Sequence, residues 1–174
     1  MYPRPAVLIA ASAAAVLALV GCGGGKEEPA AAQAVRGPGF RFSTPGDWKT
    51  TLGPGEATAA PQPGGDTLVS VSVFRLVKPY RPSLWPRVVG ELDRVVGALA
   101  AQLRGKVDAR RTVSAAGGRA RQYDLSYERQ GKSLRQRITF VLRGRREYEL
   151  LCRWRATEDE PAACALLADT FRPG

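Results

Sequence analysis

The sequence predicts an α+β domain: an antiparallel β-sheet flanked by a long central helix and a C-terminal helix. Three observations predict it. Residues 83–103 carry apolar side chains at three- and four-residue spacing. Residues 107–154 hold four short segments of alternating apolar and polar residues, separated by Gly-containing turns. Residues 157–171 begin with acids and continue as a second apolar stripe.

The chain opens outside that domain. Arg4 supplies a positive start, and Ala6 to Val20 is apolar apart from Ser12. Such a run is too short to span a bilayer comfortably and has the length of a signal-peptide core. It ends in Leu19-Val20-Gly21-Cys22, which looks like a bacterial lipobox. Residues 1–21 are therefore expected to be a lipoprotein signal peptide. Cys22 is the expected lipidation site, its thiol carrying a diacylglyceryl group of palmitate-type chains. Two or more acyl chains give stable membrane anchoring. Gly23 to Gly39 is rich in Gly, Ala and Pro and lacks periodicity. With Cys22 it reads as a flexible tether, 22–39, with a reach of roughly 20–25 Å. One domain, 40–174, follows.

Phe40 to Ser43 alternates as a short strand, Pro45-Gly46-Asp47 turns, and Trp48 to Leu52 reads as a second strand. Gly53 to Gly65, with its three Pro and four Gly, reads as a surface loop. Thr67 to Val77 is a strand with Val69, Val71 and Val73 on one face. Leu68, Phe74 and Leu76 lie on the other, which predicts a central strand covered on both sides. In the helix that follows, Trp85, Leu92, Val96 and Leu99 belong to the apolar face; Ser83 is the expected N-cap and Gly105 the stop. The meander strands are Val107 to Val113, Arg121 to Tyr127, Leu134 to Leu142 and Tyr148 to Trp154. Tyr123, Leu125, Ile138, Phe140, Tyr148, Leu150, Cys152 and Trp154 are expected to point into a common core. Thr157-Glu158-Asp159-Glu160 matches a capping box for the last helix, whose stripe is Cys164, Leu167, Ala168 and Phe171.

With Cys22 acylated, Cys152 and Cys164 remain. An exported compartment is commonly oxidising, so they are expected to form a disulfide; the alternative is two buried free thiols.

There are 26 Lys+Arg against 16 Asp+Glu, for a formal charge of +10. Much of the excess lies between Arg119 and Arg155. Matching the inward faces would put Arg137 opposite Arg153 and Arg135 opposite Arg155, an unfavourable arrangement of like charges. Two readings stay open. Internal ion pairs would neutralise the cluster, with Asp124 opposite Arg137. Alternatively, Arg135, Arg137, Arg153 and Arg155 form an anion-binding face for anionic lipid, an envelope polymer or an acidic protein. Nucleic acid is not an expected partner, because an exported lipoprotein rarely meets it.

No His is present, which removes Ser-His-Asp and Cys-His catalysis and His-ligated zinc. CxxC, GxxxxGK[ST], GxSxG and SxxK are also missing. Neither a cofactor nor a metal is expected, and Glu147 and Glu149 are expected to pair with nearby arginines rather than act as a catalytic dyad.

Phe40-x-Phe42-x-x-Pro45-x-x-Trp48, the order of elements, and the closing Asp169-Thr170-Phe171-Arg172 together resemble the PsbP-like superfamily, including actinobacterial lipoproteins of the LpqN type. The resemblance runs from Phe40 to Arg172. It implies an antiparallel sheet with flanking helices, and members that act mostly as non-catalytic subunits, assembly factors or cell-envelope lipoproteins. It carries over no catalytic residue. The expected function is a non-enzymatic binding or assembly module on the extracytoplasmic face of the cell membrane. The alternative is a lipid or glycolipid carrier, with Trp85, Tyr123, Tyr127 and Trp154 lining an apolar cavity between helix and sheet.

Overall fold

A computed structural model describes residues 31–174. The expected signal peptide, 1–21, and the expected lipidation site, Cys22, lie outside the described residues. Seven antiparallel strands form the main sheet. They are β3 (Lys49–Gly53), β4 (Glu56–Ala60), β5 (Leu68–Arg75), β6 (Lys106–Ala115), β7 (Gly118–Arg129), β8 (Lys132–Arg143) and β9 (Arg146–Arg155), in spatial order β3-β4-β5-β9-β8-β7-β6. A smaller antiparallel sheet orders β1 (Ala32–Gly37), β2 (Phe40–Pro45) and β10 (Arg172–Pro173) as β1-β2-β10. Helix α1 spans Trp85–Gln102, and α2 spans Ala162–Thr170. Among the described residues no helix is long and apolar enough to cross a membrane.

The sheet has a core on each side, and this decides its register. On one side, Leu92, Val96 and Ala100 of α1 pack with Tyr123, Leu125, Ile138 and Phe140. On the other, Val69, Val71, Tyr148, Leu150, Cys152 and Trp154 pack with Phe42, Cys164, Leu167 and Phe171 from β2 and α2. The apolar sets of β8 and β9 therefore serve different cores. The hairpin between them pairs Arg143 with Arg146 around Gly144, whose φ of +56° is left-handed. That turn fixes Ile138 opposite Leu151, Arg137 opposite Cys152 and Arg135 opposite Trp154. The register expected from a single shared core is displaced by one residue, which moves every β9 side chain to the other face.

Five local expectations are corrected. Ala32–Gly37, placed in the tether, is a strand, paired with β2 through Val35 and Phe42. The Gly- and Pro-rich stretch after Gly53 contains β4, whose Ala57 and Ala59 are fully buried; small side chains suit a strand packed beneath other elements. Ser83 lies in a short 3-10 turn, Pro82–Leu84, and makes no N-cap hydrogen bond to α1. The acids of 157–160 do not cap α2, which starts after Pro161 without a side-chain cap. At the end of α1 the left-handed residue is Arg104, φ +52°. Gly105 serves a close approach instead: a Cβ there would lie 2.4 Å from the Ser126 carbonyl oxygen.

Helix α1 is tied to the sheet by a polar clasp. The Tyr123 hydroxyl donates to Asp93 Oδ1 at 2.6 Å, and Arg121 donates to both Asp93 oxygens at 2.9–3.1 Å. Burial pushes Asp93 upward, but the Tyr123 hydroxyl and the Arg121 guanidinium hold its carboxyl below the ordinary range. Burial, reinforced by Asp93, pushes Tyr123 up to about 12. Tyr123, Val96 and Ile138 are fully buried in the interface expected to hold an apolar cavity. Trp154, expected to line that cavity, lies in the core on the other side of the sheet.

Helix α1 does not reach over β5 and β9, so one face of β5 is open and Phe74 is 50% exposed. Of the coverage expected on both sides of this strand, only the Val69 and Val71 face is fully buried; on the other face Ser70 is buried and Phe74 is not. Glu56, Glu147 and Glu149 share this open face, with Glu149 and Glu56 flanking Ser72 on either side. Among the described residues no ion pair links Glu147 or Glu149 to an arginine, contrary to expectation. Burial raises both carboxyls, and the neighbouring Glu147 and Glu56 raise Glu149 further. A carboxyl raised on folding opposes folding once ionised, so this penalty fades as pH falls through its folded value. Asp93 has the opposite sign: its contribution is present above the unfolded value and is lost as pH falls through its lowered folded one. Glu149→Gln is therefore expected to raise the urea midpoint at pH 7 and to leave it unchanged at about pH 3, where the native glutamate is also neutral. Equal midpoints at pH 7 would show that Glu149 carries no ionisation penalty.

Candidate functional site

The four arginines expected to form one anion-binding face are divided between the two sides of the sheet. Arg135 and Arg137 share a face with Trp154 and Cys152, their partners across the β8–β9 ladder. Arg153 and Arg155 lie on the opposite face, with Arg155 across from Leu134 and Arg153 across from Gln136.

Three of the four are engaged. Arg137 Nε donates to Asp124 Oδ1 at 2.8 Å, and its Nη1 pairs with Glu160. Asp124 lies opposite Arg137 in the β7–β8 register, as the internal-pairing reading expected, and also accepts from Arg111. Arg153 donates to the carbonyl oxygens of Asp66 (2.9 Å) and Gly65 (3.2 Å), fastening the loop before β5. Arg155 and Lys132 both reach Asp66 Oδ2, at 3.1 and 2.8 Å. The Lys132 hydrogen bond, helped by Arg155, holds the Asp66 carboxyl below its usual range against the opposing effect of burial. Arg135 is exposed and makes no ion pair with the described residues.

Arg135 and Arg137 face a cleft of about 400 Å³ between the exposed ends of β6–β8 and the loop Thr157–Glu160. The loop is held by its own turn, Glu158 N–H donating to the Arg155 carbonyl at 3.0 Å, and by the Ala156 N–H on the Ser133 carbonyl at 2.9 Å. The chain between β9 and α2 is further closed by the disulfide Cys152–Cys164, with 5.5 Å between Cα atoms, as the sequence predicted. Trp154, two residues after Cys152 and on the same face, contributes to the wall. Sequence reasoning placed Trp154 in an apolar cavity on the α1 side, whereas it lies on the other side of the sheet. The length of the Arg143–Arg146 hairpin was the available signal, since it sets which face Trp154 takes.

In its chemistry the cleft is a mosaic of donors and acceptors. It places no activated nucleophile beside a base, and among the described residues no group of three or more potential ligand side chains is arranged to hold a metal ion.

No protein-family model matches the sequence, and no curated protein matches it. Solved structures do. Cyanobacterial PsbP (CyanoP) from Synechocystis superposes with a TM-score of 0.57 at 12% identity, over 86% of this chain and 96% of that one. The fold is PsbP-like. A Bacteroides thetaiotaomicron protein matches with a TM-score of 0.58 at 13% identity over 84% of this chain, which spans only 49% of that protein's length. LpqN of Mycobacterium tuberculosis, described as involved in cell envelope biogenesis, gives 0.49 at 13% identity over 82% of this chain and 90% of its own. At such identities the PsbP-like likeness concerns architecture alone. It agrees with the expectation drawn from Phe42, Trp48 and Phe171, all three of which belong to or pack against the core beneath β2 and α2.

Proposed function

We propose that this protein is an extracytoplasmic lipoprotein, held on the membrane by acyl chains at Cys22, whose PsbP-like domain acts as a non-enzymatic binding or assembly module. The cleft carries the reading: its charged groups are largely locked in mutual pairs on a disulfide-closed frame, a rigid polar surface suited to recognition and lacking a reactive group. The disulfide itself suits an oxidising compartment. Membrane attachment is assigned to the acyl chains rather than to the arginines, because Arg137, Arg153 and Arg155 are engaged inside the fold. The lipid-carrier alternative has less support, because Trp154, one of its expected lining residues, lies on the other side of the sheet.

Labelled palmitate fed to a bacterium expressing the full chain is expected to appear on the wild type and not on Cys22→Ser, which is expected to remain unprocessed. Label on Cys22→Ser, or none on the wild type, would overturn the anchor.

A further inference from the structure

The cations of the main sheet are treated differently at its two ends. At one end Lys132 and Arg155 share Asp66, and Arg137 meets Asp124 and Glu160. At the other end of β8, about 35 Å away along the strand, Arg143 lies opposite Arg146, and Arg146 opposite Arg75 of β5. Three arginines thus stand in a row across three strands. The small sheet repeats the arrangement: Arg41 has Arg36 of β1 on one side and Arg172 of β10 on the other. The β1–β2 turn brings the two rows together, since a Cβ on Gly39 would lie 2.5 Å from Arg146 Nη1. All six arginines are exposed, and among the described residues none of them is in an ion pair.

Like charges directly opposite one another destabilise a sheet. Two such rows side by side, without acids to offset them, call for anions from outside the fold. Each row is three strands wide, roughly 10 Å, so the array matches an extended anionic surface rather than one small ligand. The segment after β5 shows which surface. The N–H groups of Leu76 and Tyr80 donate to the Arg145 and Gly144 carbonyls at 2.9 and 2.7 Å, which fastens the chain between them to the β8–β9 turn. Val77 lies on this segment and is 89% exposed, with Lys78 beside it and Arg145 Nη1 donating to its carbonyl at 3.4 Å. An apolar side chain ringed by cations fits the boundary between lipid headgroups and acyl chains. A hydrated polyanion would supply the charge but no apolar contact.

We infer that this end of the domain lies against anionic lipid, with the arginine rows on the phosphates and Val77 at headgroup depth. Attachment still belongs to the acyl chains; the arginines set which way the domain points. The inference therefore rests on the reading of Cys22 as acylated, and the chain length permits it. Strand β1 runs from Ala32 toward the arginine end and is roughly 20 Å long. The chain from Cys22 to Ala32 spans at most about 35 Å when extended. The anchor can thus enter the same leaflet that the arginine rows touch. The cleft beside Thr157–Glu160, at the opposite end of β8, then faces away from the lipid.

The test uses the full acylated chain on vesicles, with a fluorophore on Val77→Cys and nitroxide on the lipid headgroups. Acylation occupies the Cys22 thiol and the disulfide occupies Cys152 and Cys164, so only the new thiol takes the label. Quenching is expected to be at least about threefold stronger on vesicles with roughly one-third phosphatidylglycerol than on phosphatidylcholine alone, and about 0.5 M salt is expected to remove the difference. A label on Arg129→Cys, at the far end of β7, is expected to be weakly quenched on both. Arg75→Gln/Arg143→Gln and Arg36→Gln/Arg41→Gln each thin one row. Each is expected to lower the anionic preference at least about twofold. Because repulsion is relieved, each is expected to leave the melting temperature equal or higher. Equal quenching on the two vesicles, stronger quenching at position 129 than at 77, or a preference unchanged in both variants would each overturn the orientation. Mass measurement scores acylation on the same preparation. Acylated chain quenched equally on both vesicles removes this surface and leaves the anchor; unacylated chain that sediments with anionic and not neutral vesicles does the reverse.

Discussion

Phe171→Ala is expected to lower stability by about 3–5 kcal/mol, a large part of the roughly 5–15 kcal/mol typical of a whole domain. Phe171 is fully buried just after α2, its ring edge-on to Tyr148 of β9 at 5.4 Å between centroids. It sits in the core that α2 and β2 make with the main sheet, together with Phe42, Leu150 and Leu167. The next strand, β10, pairs with β2, and Ser43 N–H donates to the Thr170 hydroxyl at 2.8 Å, so the surrounding backbone is tied on several sides. Little collapse into the vacated volume is possible, which places the loss toward the upper end for such truncations. Phe171→Leu keeps most of the volume and is expected to lose less than half as much. The urea midpoint measures both, and a drop below about 1 kcal/mol for the alanine variant would mean that α2 docks without it.

That closing segment was readable because a terminal aromatic after an amphipathic stripe has one place to go. The same holds for the four meander strands and for α1, whose patterns are long and strongly periodic. What the pattern could not supply was the number of cores. Alternation in β9 shows that Tyr148, Leu150, Cys152 and Trp154 share a face, but not which side of the sheet that face looks to. One residue of register separates the two choices, and Gly144 decides between them. The short strands failed differently. Ala57 and Ala59 are fully buried without being strongly apolar, and Ala32–Gly37 pairs along β2 within a composition that reads as linker. In both, neighbouring strands override weak local preference.

The site was legible to the same extent as the register. Asp124 was expected opposite Arg137 and is there, because Tyr123 and Ile138 face the same core across β7 and β8. The grouping of Arg135 and Arg137 with Arg153 and Arg155 fails, because it crosses the β8–β9 turn. Trp154 became visible as a cleft residue only once that turn was fixed, and its unpaired N–H is a property of packing that sequence does not encode.

Replacing Cys152 and Cys164 together by Ala is expected to lower the stability of the domain by about 3 kcal/mol, the loop-closure value for a bridge of this span, and the melting temperature by roughly 10 °C. Both sulfurs are buried, so reductant alone is expected to act slowly on the folded protein and completely only in denaturant. The consequence extends to the cleft. The bridge closes the segment that contains Trp154 and the loop Thr157–Glu160, so it restrains that wall of the cleft. Opening it leaves that loop attached to the sheet through its hydrogen bonds at Ser133 and Arg155 and the Arg137–Glu160 pair, each individually weak near solvent. In the double-alanine variant the amides of the loop Thr157–Glu160 are therefore expected to exchange faster with solvent, even at temperatures where the domain is fully folded. An unaltered melting temperature in the double-alanine variant would mean that the sheet and α2 hold this segment without the bridge. A lowered one with unchanged amide exchange in the loop would place the order of the loop in its hydrogen bonds instead.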